Sequence, residues 1–247
     1  VANNATGSHS TRYGMTADHV LAMDVVLAGG DTARLTAGDG GGASPAGAAA
    51  IRAAMAALLA DEDNRRAIRA GTPRHWRRCG GYGLDRLLPG PAAAPAAALA
   101  ALVCGSEGTL AVMTAITLNL VSRPAHTGLV LLHVDDLHAA LAAVPDILAT
   151  DPSAVELLDT LSLSLGYNVP EYARLLAAVV PGRPRGLLVV EYSGASEAVV
   201  RAGATRLERL AARLPGIVAA TPALSPAHQA AVWAVRKANL GLLMSMK

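Results

Sequence analysis

Two short stretches of this chain carry the residue types that cradle a polar, phosphate-bearing ligand. The first opens the chain as Val1-Ala2-Asn3-Asn4-Ala5-Thr6-Gly7-Ser8-His9-Ser10 and runs on through Tyr13-Gly14 and Asp18 to Val20. Asn3, Asn4, Thr6, Ser8 and Ser10 offer short donors and acceptors. Gly7 and Gly14 permit positive φ or close approach of another group, and successive backbone N–H groups in such turns form anion-binding concavities. Composition alone fits an ordinary surface loop equally well. The second stretch, Gly105-Ser106-Glu107-Gly108-Thr109-Leu110, is a compact turn leading into Leu110 to Val121. There Leu110, Val112, Ile116, Leu118 and Leu120 share one parity, as in a half-buried strand. A ligand at the mouth of that strand would rest against backbone and one carboxylate, unless Glu107 only caps its own turn.

A third candidate stands far down the chain. Arg236 lies on a helical stretch with Trp233 one turn before it and Leu240 one turn after, a cation on an otherwise apolar face. A guanidinium can grip a carboxylate with two parallel bonds; the alternative is a surface or ion-paired arginine. The histidines carry less. His9 lies in the first loop, whereas His19, His75, His126, His133, His138 and His228 show no spacing of a helical metal site. Glu156 and Asp159, read as i and i+3 on a helix, fit exposed or capping roles. The cluster from Arg74 to Arg78 beside Trp76 reads as pairing with acidic neighbours or phosphate, since no basic surface elsewhere supports nucleic acid. Cys79 and Cys104 are too few for an iron–sulfur cluster and read as small, partly buried fillers.

The elements that must position these groups can be placed in outline. Val20 to Leu27 alternates Leu21, Met23, Val25 and Leu27 against Ala22, Asp24 and Val26, then turns at Gly29-Gly30-Asp31 into Thr32 to Thr36, which predicts a hairpin. Gly38 to Gly47 reads as a connector; its Gly40-Gly41-Gly42 fails the dinucleotide spacing because Pro45 takes the last glycine's place. Ala48 to Ala70 shows Ile51, Met55, Leu58 and Leu59 at helical spacing, and Pro89 to Pro95 marks a break. After Pro124 the texture changes. Strands are expected over Gly128 to Val134, Gly186 to Ser193 and Gly216 to Thr221. Helices are expected after Asp136, with Leu137, Leu141, Val144 and Leu148 inward, from Ser153 through Leu165, over Ser196 to Leu214, and after Ser225-Pro226.

Composition bounds the reading. The 247 residues suffice for one large or two modest domains. A hydrophobic content of 52% with 3% aromatics and no Phe predicts an aliphatic, Ala-rich core. A formal net charge of +2 implies no strong field toward nucleic acid or acidic lipid. No apolar run reaches the length of a membrane helix, and no signal peptide is read at the start.

Together the two glycine-bearing motifs resemble the FAD-binding domain of the vanillyl-alcohol oxidase and p-cresol methylhydroxylase (PCMH) superfamily, and more narrowly its FAD-linked oxidase branch of glycolate oxidase subunits and D-2-hydroxyacid dehydrogenases. The carrying residues are Asn3 to Ser10, Tyr13 to Asp18, Val20 to Leu27 and Gly105 to Leu110. Arg74-His75-Trp76-Arg77-Arg78-Cys79-Gly80-Gly81-Tyr82-Gly83-Leu84-Asp85 resembles the segment between the branch's two FAD motifs. Ala154 to Asp159 resembles its cap-domain helix, and Trp233-Ala234-Val235-Arg236-Lys237 its Trp-x-x-Arg helix. Ala111 stands where members usually carry Gly, and Gly83 where they usually carry Asn.

The resemblance implies an α+β chain. Residues 1–124 would be the C-terminal part of a PCMH-type FAD-binding domain, without its N-terminal pyrophosphate-loop subdomain, and 125–247 an incomplete, βα-rich, ferredoxin-like cap or substrate domain. It implies FAD as cofactor, held by Asn3, Asn4, Thr6, Gly7, Ser8, His9, Tyr13, Gly14, Asp18, Gly105, Ser106, Glu107, Gly108, Thr109 and Val112. Arg236 would hold the carboxylate of a small D-2-hydroxyacid such as D-lactate, glycolate or D-2-hydroxyglutarate. The implied electron acceptor is a quinone, a cytochrome or the iron–sulfur module of a longer protein. No metal, nucleic acid or membrane span is expected, and the implied location is cytoplasmic or peripheral to the inner membrane face. A different class of function, a catalytically incomplete FAD-binding or assembly module, stays open at this point.

Overall fold

The computed structural model describes residues 2–36, 46–88 and 99–244. The connector read from Gly38 as far as residue 45, the break at Pro89 to Pro95 and the end from Ser245 to Lys247 lie outside them. The chain forms two compact units, Val1–Val121 and Ser122–Lys247.

The first unit is built on an antiparallel three-stranded sheet of β1 (Val20–Leu27), β2 (Thr32–Thr36) and β3 (Ala111–Leu118), in the order β2-β1-β3. The predicted hairpin is present, and Gly30 at φ 87° makes its turn. The expected alternation fails in both long strands for one reason. Register shifts between Val20 and Ala22 and between Asp24 and Val25 break the two-residue period. Met23 and Val25 face the core, but Leu21 is 47% exposed. In β3, Ala111 is buried and Met113, Ile116 and Leu118 pack partly against the core, while Val112 is 62% exposed; Leu120, 85% exposed, lies beyond the end of the strand.

Helices α1 (Ser10–Tyr13), α2 (Ala46–Ala60), α3 (Glu62–Gly71) and α4 (Leu99–Val103) complete this unit. The single helix expected over Ala48 to Ala70 is two, because Asp61 leaves the helical conformation and its carboxylate accepts from the Asp63 N–H, capping α3. Ile51 and Leu58 are exposed; Ala48 and Leu59 are buried. Leu99, Ala100, Leu102 and Val103 of α4 sit in one core with Met23, Val25 and Leu35 of the sheet.

The second unit is a four-stranded antiparallel sheet with helices on both faces. Its strands are β4 (His126–Val134), β5 (Ala154–Leu158), β6 (Gly186–Gly194) and β7 (Ile217–Ala223), in the order β5-β6-β4-β7. That order is the split βαβ plan of ferredoxin-like folds. The central runs Leu129-Val130-Leu131-Leu132 and Leu187-Leu188-Val189-Val190 are apolar without alternation because both faces are covered. Helices α5 (Leu137–Ala142), α6 (Val144–Leu148) and α9 (Glu197–Ala211) cover one face. Helices α7 (Thr160–Asn168), α8 (Pro170–Val179) and α10 (Pro226–Met244) cover the other.

Two expectations for this unit are corrected. Asp136 does cap α5, but Ala140 and Ile147 point inward while Leu141 and Leu148 are exposed, since the helix stops at Ala142 and restarts at Val144 with Pro145 in its first turn. Ala154 to Leu158 is a strand, not a helix. It pairs with β6 from Ala154↔Glu191 to Leu158↔Leu187, and a helix begins only after Asp159, whose carboxylate accepts from the Ser162 N–H. Helix α8, with Leu176 and Val179 buried and Leu175 packed beside them, is a further element that the sequence reading does not contain.

Candidate functional site

The first unit brings the two glycine-bearing motifs side by side. The Gly105 N–H donates to the Ala2 carbonyl at 2.6 Å, and a Cβ on Gly105 would stand 3.1 Å from the Cβ of Asn4. Asn4 is buried at φ 52°, and its Oδ1 accepts from the Ala17 N–H at 2.9 Å. The turn itself is left-handed at Gly105 (97°), Glu107 (51°) and Gly108 (82°). Thr109 closes it by donating from Oγ1 to the Ser106 carbonyl at 2.6 Å.

Much of the first loop is held by residues that the sequence reading did not assign to it. Arg77 donates from Nη2 to the Gly7 carbonyl at 2.8 Å and from Nε to Ser10 Oγ at 3.1 Å. Its guanidinium thus grips a carbonyl and a hydroxyl of the loop, while Arg78 pairs with Asp85 as expected of an acidic neighbour. Asp18 accepts from the Met15 N–H at 2.7 Å and from Arg86 at 2.7 Å. Burial pushes the Asp18 carboxyl up, but these bonds outweigh it and hold the group below the usual carboxylate range. Gly14 at φ 80° is required here, because a Cβ would meet Asp18 Oδ2 at 2.5 Å. Gly14 and Asp18 therefore shape the loop. Tyr13 lends its carbonyl to a His19 ring nitrogen, and His9 precedes the single turn of α1.

A third segment, residues 72–88, joins the other two. The Tyr82 hydroxyl lies 2.8 Å from Thr109 Oγ1, and Cys79 Sγ lies 3.4 Å from Thr6 Oγ1. A cavity of about 570 Å³ lies among them, lined by Asn4, Arg77, Arg78, Tyr82, Asp85 and Cys104 with their neighbours. Cys104 is buried, and burial pushes its thiol up; Cys79, expected partly buried, is exposed. The signal for Arg77 and Tyr82 was present in the spacing of residues 74–85, but their partners lie about seventy and twenty-seven positions away.

Several donors at this meeting point are uncommitted. Among the described residues the N–H groups of Gly7, Ser8, Glu107 and Gly108 reach no protein acceptor. Ser106 Oγ is buried and has no hydrogen-bond partner. An unpaired buried hydroxyl costs about 1–3 kcal/mol, which makes Ser106 the orphaned polar group of this turn. Asn3, Gly7, His9, Glu107, Gly108 and Thr109 are exposed around it. Val112, on the outer face of β3, is exposed as well.

In the second unit Arg236 extends from α10 to the edge strand β5. Its Nε donates to Glu156 Oε2 at 2.8 Å, with the arginine side chain 35% exposed and the glutamate 15%. Among the described residues no other partner of this guanidinium is found. Glu156, expected to be exposed or capping on a helix, is thus an ion-paired strand residue. Among the described residues no group of three or more His, Cys, Asp or Glu could hold a metal, and no helix is long and apolar enough to cross a membrane.

The α+β architecture recurs in a solved structure. Over 98% of its length the chain matches alkyldihydroxyacetonephosphate synthase at a TM-score of 0.52 and 14% identity, covering 36% of that protein, which shows a common fold. Residues 123–247 match the family model of the C-terminal domain of FAD linked oxidases, and the chain belongs to that FAD-linked oxidase family. It is similar to the D-2-hydroxyglutarate dehydrogenase of Escherichia coli (strain K12), 28% identical over all of this chain and 25% of the relative. It is also similar to glycolate oxidase subunit GlcD of Bacillus subtilis (strain 168), 26% identical over 81% of this chain and 31% of that subunit. The chain thus spans about a quarter to a third of the length of these relatives. The family's cofactor is FAD, and the orphaned Ser106 hydroxyl with the free N–H groups around it fits a group rich in acceptors.

Proposed function

We propose that this chain contributes to the FAD-dependent oxidation of a D-2-hydroxyacid to its 2-oxoacid, as the names of its relatives suggest. The observation that carries the reading is the meeting of the Asn3–Ser10 loop with the Gly105–Thr109 turn around uncommitted donors. In this reading residues 1–124 form part of a PCMH-type FAD-binding domain and 125–247 part of the substrate domain. FAD, when bound, supplies the acceptor for the hydride that leaves the substrate's α-carbon.

The chain's own residues bind and orient. The N–H groups of Gly7, Ser8, Glu107 and Gly108 and the Ser106 hydroxyl offer hydrogen bonds to the cofactor, with Asn3, Thr6, His9, Thr109 and Val112 around them. Asn4, Tyr13, Gly14 and Asp18 keep the loop in shape, Asn4 while also lining the cavity. Arg236 holds the substrate carboxylate through its terminal nitrogens, since only Nε is engaged by Glu156. The electron acceptor that would serve the bound cofactor is a quinone, a cytochrome or an iron–sulfur module, and the place of action is the cytoplasm or its membrane face.

Visible absorbance of the purified protein tests this directly. Flavin bands that bleach anaerobically with D-2-hydroxyglutarate or D-lactate support it. A protein that stays colourless with added FAD overturns the binding site, and a coloured one that neither substrate bleaches favours a cofactor-binding or assembly module.

A further inference from the structure

We infer that Glu156 is the positioning residue for Arg236: it anchors one edge of the guanidinium so that the other edge is presented to a substrate carboxylate. The inference rests on the reading of Arg236 given above. Because Ala154 to Leu158 is a strand, Glu156 shares its face with Ala154 and Leu158, the face that α7, α8 and α10 cover. Its carboxylate therefore reaches Arg236 from the side of the sheet and is itself only 15% exposed. The neighbouring buried carboxylate, Glu191, is engaged by Ser153 Oγ at 2.8 Å.

The geometry of the bond matters more than its presence. A guanidinium offers two forks, one of Nε with a terminal nitrogen and one of the two terminal nitrogens. Glu156 takes a single bond, at Nε, and no second bond to this guanidinium is found among the described residues. A structural ion pair would gain by closing both bonds of one fork. The single Nε anchor instead fixes the plane of the group and leaves the terminal fork unfilled. A carboxylate arriving there completes a bidentate pair without first ordering a long side chain, which is where preorganisation gains affinity.

The test uses the FAD-loaded protein, with D-2-hydroxyglutarate for kinetics and oxalate, an unreactive carboxylate, for calorimetric binding. Glu156→Gln keeps an acceptor for Nε and is expected to stay within about threefold in KM and oxalate affinity. Glu156→Ala removes the anchor and raises both KM and the oxalate Kd about 10- to 100-fold, with a smaller change in kcat. In an Arg236→Ala background the same substitution adds nothing, because its effect travels through the arginine. Glu156→Ala that leaves or tightens binding, or that costs as much without Arg236 as with it, overturns the inference. Arg236→Ala with unaltered oxalate affinity instead overturns the carboxylate role of Arg236 itself. Equal melting temperatures for the Gln and parent proteins separate positioning from loss of fold.

Discussion

Substituting Gly105 by alanine tests whether the two motifs of the first unit are locked together as the geometry indicates. Two costs add. Gly105 lies at φ 97°, and an L side chain in the left-handed region costs about 1–2 kcal/mol. The added Cβ stands 3.1 Å from Asn4 Cβ, tighter than ordinary contact, and Asn4 is fixed in turn by its bond to Ala17; such overpacking costs about 1–3 kcal/mol. Gly105→Ala is therefore expected to destabilise by about 2–5 kcal/mol in urea unfolding followed by circular dichroism. The contact part can be isolated in a cycle with Asn4→Gly, which removes the opposing Cβ. Asn4→Gly has its own cost, the orphaned Ala17 N–H, but the cycle cancels it. The double variant should cost about 1 kcal/mol or more less than the sum of the singles. A Gly105→Ala protein within about 0.5 kcal/mol of the parent would sink the reasoning on strain. Strict additivity would sink the claim that the motifs touch.

Two further outcomes follow from the second unit. Buried His133, whose ring nitrogen lies 3.1 Å from Thr221 Oγ1, has its pKa lowered by burial, so below the ordinary value of 6.5 the unfolded chain takes up a proton that the folded one refuses. Its contribution is complete above that value and is lost as pH falls toward the folded pKa; in His133→Gln this part of the pH dependence of unfolding should vanish, and an unchanged profile would exclude His133 as its source. Asn239 on α10 is buried with neither amide atom hydrogen-bonded, so Asn239→Leu should stabilise by about 1–3 kcal/mol in the same unfolding assay, whereas a loss of stability would show that the amide has a partner it uses.

The distribution of legible and illegible features has a physical basis. Turn chemistry is local, so the hairpin at Gly29-Gly30-Asp31, the caps Asp136 and Ser225 and the motif Gly105 to Thr109 could be read from neighbours alone. Inward faces were less legible. Leu21 and Val112 carry the right residue types, but register shifts turn them outward, and a shift is fixed by the partner strand rather than by the strand's own sequence. Val155, Glu156 and Leu157 form a short apolar-flanked run that periodicity cannot assign; pairing with β6 made it a strand.

The sequence by itself determined the family-bearing motifs, whose resemblance implies the α+β class, and the division in texture near Pro124, because both depend on composition and on spacings within a few residues. Only the tertiary structure decided which polar groups are free. It spent Asp18 on Arg86 and Met15, Asn4 on Ala17 and Arg77 on the loop, left Ser106 unpaired, and set Glu156 against Arg236 across eighty positions of chain. A hydrogen bond is a statement about distance in space, and residue types along a chain do not carry it until the sheet and helices have closed.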